Sequence, residues 1–157
     1  MALVPRARRP AVIVAATVLA AVASSCGTPS PEAFLSQSDK ALEDASSAVA
    51  TTGTALDQLR FHKLPVPYGR VVVTEQEEAL GSTQQSYTAS QPPESEQAVY
   101  DSTSDLLEDA SGLVTEARIA VQRGQRSTYA RIRADLAEVG SQIAEAREEI
   151  ATAEAAG

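Results

Sequence analysis

The chain has 157 residues, one domain's worth, with two Phe, four Tyr and no Trp, so small and branched aliphatic side chains must fill most of its core. Its formal charge is -8, but Arg6, Arg8 and Arg9 all precede residue 26 and every acidic residue follows it, leaving residues 26–157 with ten basic against twenty-one acidic groups, a charge of -11. That balance excludes nucleic acid as a partner for the domain as a whole, because phosphate binding needs a net basic footprint, and the lack of Asn excludes N-glycosylation.

The chain opens with a basic stretch, MALVPRARRP, followed by the apolar AVIVAATVLAAVA at residues 11–23. Thirteen apolar residues match the h-region of a signal peptide and fall short of the roughly twenty that a spanning helix needs. Residues 1–25 are therefore read as a signal peptide and the chain as exported. Ala21-Val22-Ala23 forms an A-x-A cleavage site, which would release a secreted protein beginning at Ser24. A second reading uses Cys26, the only cysteine, which has no intramolecular partner and is followed by the proline-punctuated tether GTPSP. Val22-Ala23-Ser24-Ser25-Cys26 resembles the lipobox of bacterial lipoproteins. That resemblance implies a diacylglyceryl group on Cys26, residues 26–30 as a lipidated tether, and a membrane anchor on the extracytoplasmic face of the cell membrane. Two acyl chains are what a stable anchor requires.

Residues 31–157 predict an all-α domain. Ser30-Pro31-Glu32 is a helix start, with a capping hydroxyl, proline at the first helical position and an acid at the positive end of the dipole. Leu35, Ser38, Leu42, Ala45, Val49, Thr52, Leu56 and Leu59 then recur at alternating three- and four-residue spacing, the seam of a helical bundle over 31–60. Pro65 and Pro67 predict a non-helical segment over 61–73, packed against the distal half of the bundle. A shorter second helix is expected at 74–90, with Thr74 and Glu77 as a capping box and Val73, Leu80 and Tyr87 as its stripe.

A third helix is expected over 94–123, with Val99, Thr103, Leu106, Ala110, Leu113, Ala117 and Ala120 as its main stripe, widened by Tyr100, Leu107, Val114 and Val121. A break at Gly124 leads to a fourth helix over 127–156, in which Tyr129, Ile132, Leu136, Val139, Ile143, Ala146, Ile150 and Ala153 line one face. Short connections make sequence neighbours antiparallel, giving an up-down-up-down four-helix bundle. Gly53, Gly81, Gly112 and Gly140 each interrupt a helix, and the seam register places Gly53, Gly112 and Gly140 where a missing side chain lets helix axes approach.

The residues present argue against catalysis. Di-iron bundles need Glu-x-x-His pairs, haem needs an axial ligand and zinc needs several Cys or His. After Cys26 the chain holds one histidine, His62, and no methionine, so neither a metal nor another cofactor is expected. Adjacent carboxylates such as Glu77-Glu78 and Glu148-Glu149 read as solvated helix faces, and no nucleophile-elbow context exists.

The basic residues are unevenly placed. In an up-down-up-down bundle the turns joining helices one to two and three to four share one end. Arg60, Lys63, Arg70, Arg118, Arg123, Arg126, Arg131 and Arg133 lie in or near them, with Tyr68 beside them, leaving only Lys40 and Arg147 elsewhere. Glu32, Asp39, Glu43, Asp44, Glu94, Glu96, Glu145, Glu148, Glu149 and Glu154 collect at the other end. Helix dipoles account for Arg60, Arg118 and Arg123, but Arg126, Arg131 and Arg133 begin a helix and oppose its dipole. This distal tip is the candidate binding surface, with an acidic envelope protein or an anionic polymer as its expected partner. Small helical lipoproteins serve as accessory subunits, and the resemblance to them implies a binding role; a secreted bundle and a small-molecule-sensing bundle are the rival readings.

Overall fold

The computed structural model describes residues 29–156, so the signal peptide expected at residues 1–25 and Cys26 lie outside the described residues. Four helices form the bundle: α1 (Pro31–Arg60), α2 (Val66–Thr88), α3 (Gln97–Arg123) and α4 (Tyr129–Ala156), with short 3-10 turns at Glu94–Glu96 and Arg126–Thr128. α1 begins as its sequence predicts, the Ser30 hydroxyl accepting a hydrogen bond from the Ala33 amide at 3.2 Å. It ends by a left-handed residue, His62 at φ 57°, which lets the Lys63 amide donate back to the Gln58 carbonyl at 2.8 Å.

The second helix differs from expectation. It starts at Val66 rather than at residue 74, and it runs for 23 residues. Pro65 is its N-cap and Pro67 lies in its first turn, where the missing N–H has no helical acceptor to lose and the fixed φ already suits a helix. The prolines therefore start this helix instead of excluding it. Thr74 and Glu77 lie inside it, and Glu77 accepts from the Thr115 hydroxyl at 2.8 Å instead of closing a capping box.

α3 starts at Gln97, three residues later than expected, because Glu94–Glu96 form a tighter turn after Pro92-Pro93. Its end is the predicted break: Gly124 takes φ 68°, its amide donates to Val121 O at 3.2 Å and the Gln125 amide to Ala120 O at 2.9 Å.

All sequence neighbours run antiparallel. The start of α1 meets the end of α4 through Asp39 and Arg147, its end meets the start of α4 through Asp57 and Arg133, and Ser38 meets Tyr87 near the end of α2. α1 packs on α2, α4 and, across the diagonal, α3, whereas α2 and α4 occupy opposite flanks. This explains why twelve α1 residues are buried and only four of α2. The whole predicted α1 seam is buried, together with a second seven-residue series, Phe34, Ala41, Ala48 and Ala55. On α3 the buried face centres on Thr103, Leu107, Ala110, Val114, Ala117 and Val121, while Val99, Leu106 and Leu113 are only partly buried. α4 buries Tyr129, Ile132, Leu136, Val139, Ile143 and Ile150 as expected, but Ala146 is partly buried and Ala153 exposed.

At the end holding the N-terminus of α1, Phe34, Tyr87 and Tyr100 pack with ring centroids 5.5 to 6.4 Å apart. The Ser38 hydroxyl donates to the Phe34 carbonyl at 3.0 Å and accepts from the Tyr87 phenol at 2.9 Å. Burial pushes the Tyr87 phenol above its ordinary range, the Ser38 and Thr103 hydroxyls pulling the other way, and burial also raises Tyr129. The opposite end is closed by Gly69 of α2, where an added Cβ would lie 2.7 Å from the Leu59 methyl groups.

The glycines divide by what they face. Gly140 lies at ordinary contact from Val49, whereas Gly81 and Gly112 meet nothing within 4 Å, so the expectation that Gly112 permits a close helix approach is not met. Gly112 points outward from the shifted α3 face. Urea denaturation of single variants should show Gly81→Ala and Gly112→Ala each more stable by up to about 1 kcal/mol, and Gly69→Ala less stable by about 1–3 kcal/mol through overpacking. Tyr87→Phe should cost about 1 kcal/mol at neutral pH. Because a raised phenol favours the neutral form in the folded state, the unfolded chain ionises first, from pH about 10. Wild-type stability should be complete below that pH and fall as pH rises, and the fall should be shallower in Tyr87→Phe, measured by urea midpoints across an alkaline series.

Candidate functional site

The tip is built from the end of α1, residues 61–65, the first turns of α2, and the α3–α4 turn. Two contacts bring the turns together: Arg126 Nη1 lies 3.1 Å from both ring nitrogens of His62, and Arg70 Nη2 donates to the Gln122 carbonyl at 3.2 Å. The Arg60 guanidinium stands 5.3 Å from the centroid of the Phe61 ring and Lys63 Nζ 5.9 Å from it, so one exposed ring carries two cations.

The arginines separate into two groups. Arg118 pairs with Glu77 on α2 and donates to Gln122 Oε1 at 3.0 Å. Arg131 pairs with Glu116 on α3 and with Asp135 at 2.7 Å, and Arg133 pairs with Asp57 on α1 at 3.1 Å. These three line the sides of the bundle and are neutralised there. That accounts for two of the three helix-starting cations that the dipole left unexplained, Arg131 and Arg133, whose carboxylates come from neighbouring helices and, for Asp135, from α4 itself. Lys40 and Arg147, the cations at the other end, are likewise paired, with Glu43 and Asp44 and with Asp39. Among the described residues, Arg60, Lys63, Arg70, Arg123 and Arg126 have no carboxylate within ion-pair distance, and all five belong to the tip.

Three large apolar side chains are exposed in the same region: Phe61 (60%), Tyr68 (68%) and Val71 (54%). The expectation that 61–73 packs on the bundle holds for Leu64, Val66, Val72 and Val73 and fails for these three. Tyr68 was a candidate from sequence, whereas Phe61 and Val71 were not. Their signal was present: Phe61 follows Leu59 off the α1 seam, and Val71 falls on the outer face of a helix whose buried positions are Gly69 and Val73.

Other concavities are shallow. The groove between α1 and α4, about 390 Å³, is lined by Val49, Gly53, Leu136 and Gly140 and bordered by the Asp57–Arg133 pair. Among the described residues, no cluster of His, Cys, Asp and Glu side chains could hold a metal ion, and no helix is long and apolar enough to cross a membrane. The tip thus presents cations without a carboxylate partner beside exposed apolar side chains.

The division of the arginines is measurable. Charge reversal of Arg131 and Arg133 to Glu should lower the melting temperature in low salt, because each new carboxylate would face Glu116, Asp135 or Asp57, and added salt should reduce the loss. Reversal of Arg123 and Arg126 should leave it within the small range typical of surface substitutions, followed by thermal denaturation with circular dichroism. Comparison with protein-family models, with curated proteins and with solved structures finds no match to the chain.

Proposed function

We propose that this chain is an exported, lipid-anchored binding module of the bacterial cell envelope, acting by docking and not by catalysis. The observation that carries the reading is the one-ended distribution of unpaired cations: five at the tip, together with three exposed apolar side chains, against paired cations at the other end. A surface with both exposed apolar groups and unneutralised charge is what an interaction site requires, and apolar exposure concentrated in one place marks such sites.

The anchor assigned to Cys26 supports the same orientation. Residues 26–30 lead directly into α1, at the end opposite the tip. A helix of 30 residues spans about 45 Å, so a chain held at Cys26 would present the tip that far from the membrane, with its acidic end toward a bilayer of like charge. Mass spectrometry of the mature protein should find a diacylglyceryl-modified Cys26 at the N-terminus, and Cys26→Ser should move the chain from the membrane to the soluble fraction. An unmodified terminus at Ser24 would overturn the anchor.

A further inference from the structure

We infer that the partner of the tip is the surface of an anionic phospholipid bilayer; this rests on the binding reading above and names the chemistry of its partner. Charge alone would fit any polyanion. The exposed side chains narrow the choice, since Phe61, Tyr68 and Val71 gain nothing from a hydrated anionic polymer and gain an apolar phase at a membrane interface. Aromatic rings favour the headgroup level, where one end is apolar and the other wet. Phe61 is already flanked by two cations, Arg60 and Lys63, so ring and charges would reach the interface together. A bilayer also takes up such side chains without offering a shape-matched pocket.

The strongly negative charge of the domain does not oppose this docking. Arg118, Arg131 and Arg133 pair with Glu77, Glu116, Asp135 and Asp57 along the tip half, leaving a single net negative charge among them. Of the unpaired acids, Glu75 and Glu138 are the nearest along the helices, each about 14 Å from the start of α2 or α4, and Glu145, Glu148, Glu149 and Glu154 lie farther along α4. These four stand about 24–38 Å from the start of α4, three or more times the Debye length of about 8 Å at physiological salt, and even Glu75 and Glu138 lie beyond it. The surface would therefore sense the five free cations, each favourable near anionic lipid, more strongly than the screened acids behind them. Anchored at its other end, the chain would bridge from its own membrane to a second surface.

The test uses the mature chain purified from the envelope and reconstituted into neutral phosphatidylcholine donor vesicles. Fluorescent acceptor vesicles are then added, made either of phosphatidylcholine alone or with phosphatidylglycerol. Capture should require phosphatidylglycerol and fall at least about tenfold in Arg123→Glu/Arg126→Glu, and comparably in Phe61→Ser/Tyr68→Ser, both variants keeping the wild-type helical circular dichroism. Equal capture of neutral vesicles, no capture, or capture indifferent to both variants would overturn the inference. Retention on a polyglutamate resin without vesicle capture would also overturn it, while leaving an acidic protein as the docking partner. If the chain does not stay with the donor vesicles, the anchor fails instead, and the same variants are compared by co-sedimentation with the acceptor vesicles, with the same expected and overturning results.

Discussion

The rest of the fold depends on α1 being packed on three sides. A helix with one neighbour needs only a narrow apolar stripe, but α1 borders α2 and α4 and meets α3 across the diagonal. Its sequence answers with two interleaved series, the aliphatic and hydroxyl seam from Leu35 to Leu59 and the smaller series Phe34, Ala41, Ala48 and Ala55. Alanine at three of those positions lets a neighbouring helix come close without emptying the core. α2 can accordingly hold its place with Gly69, Val73, Leu80 and Tyr87 as its only fully buried positions. The tip follows from the same constraint. The α1 seam ends at Leu59, Gly69 seals that layer, and the left-handed turn at His62 carries Phe61 and Lys63 outside it.

Ion pairing then decides which charges a partner could meet. Exposed pairs contribute little to stability, so the pairs of Arg131 and Arg133 with Glu116, Asp135 and Asp57 matter more for the field than for the fold. They cancel side-facing charge that would otherwise blur the contrast between the two ends. Arg60 and Arg123 stand at helix C-termini, where the dipole favours cations, and need no carboxylate to be held there.

The sequence carried the architecture well because bundle seams are periodic. α1 could be read from Ser30 to Leu59, and the αL stop at Gly124 separated α3 from α4, since glycine there relieves a strain that other residues would feel. The start of α2 was obscured because proline has opposite meanings inside a helix and at its first turn, and only the burial of Gly69 against Leu59 decides between them. The face of α3 was misplaced because Leu106 and Leu113 compete with Leu107 and Val114 one residue away, and the diagonal contact with α1 selects among them. Of the candidate tip residues, Arg118, Arg131 and Arg133 were assigned by position along the chain, but their carboxylate partners come from other helices and only packing reveals them.

The exposed aromatics at the tip are a consequence of packing rather than of insufficient core. The same bundle buries Phe34 and Tyr87 almost completely and gives the Tyr87 phenol a partner in Ser38, so it can accommodate large rings where a layer is open. At the tip the closing layer is full: Gly69 already lies against the Leu59 methyl groups, closer than any added carbon could tolerate. Leu59 is itself buried, so this layer offers no room for a further side chain at Gly69. Burying these exposed rings, which stand beside cations that no carboxylate neutralises, is what the proposed docking would add to a bundle whose closing layer is already full.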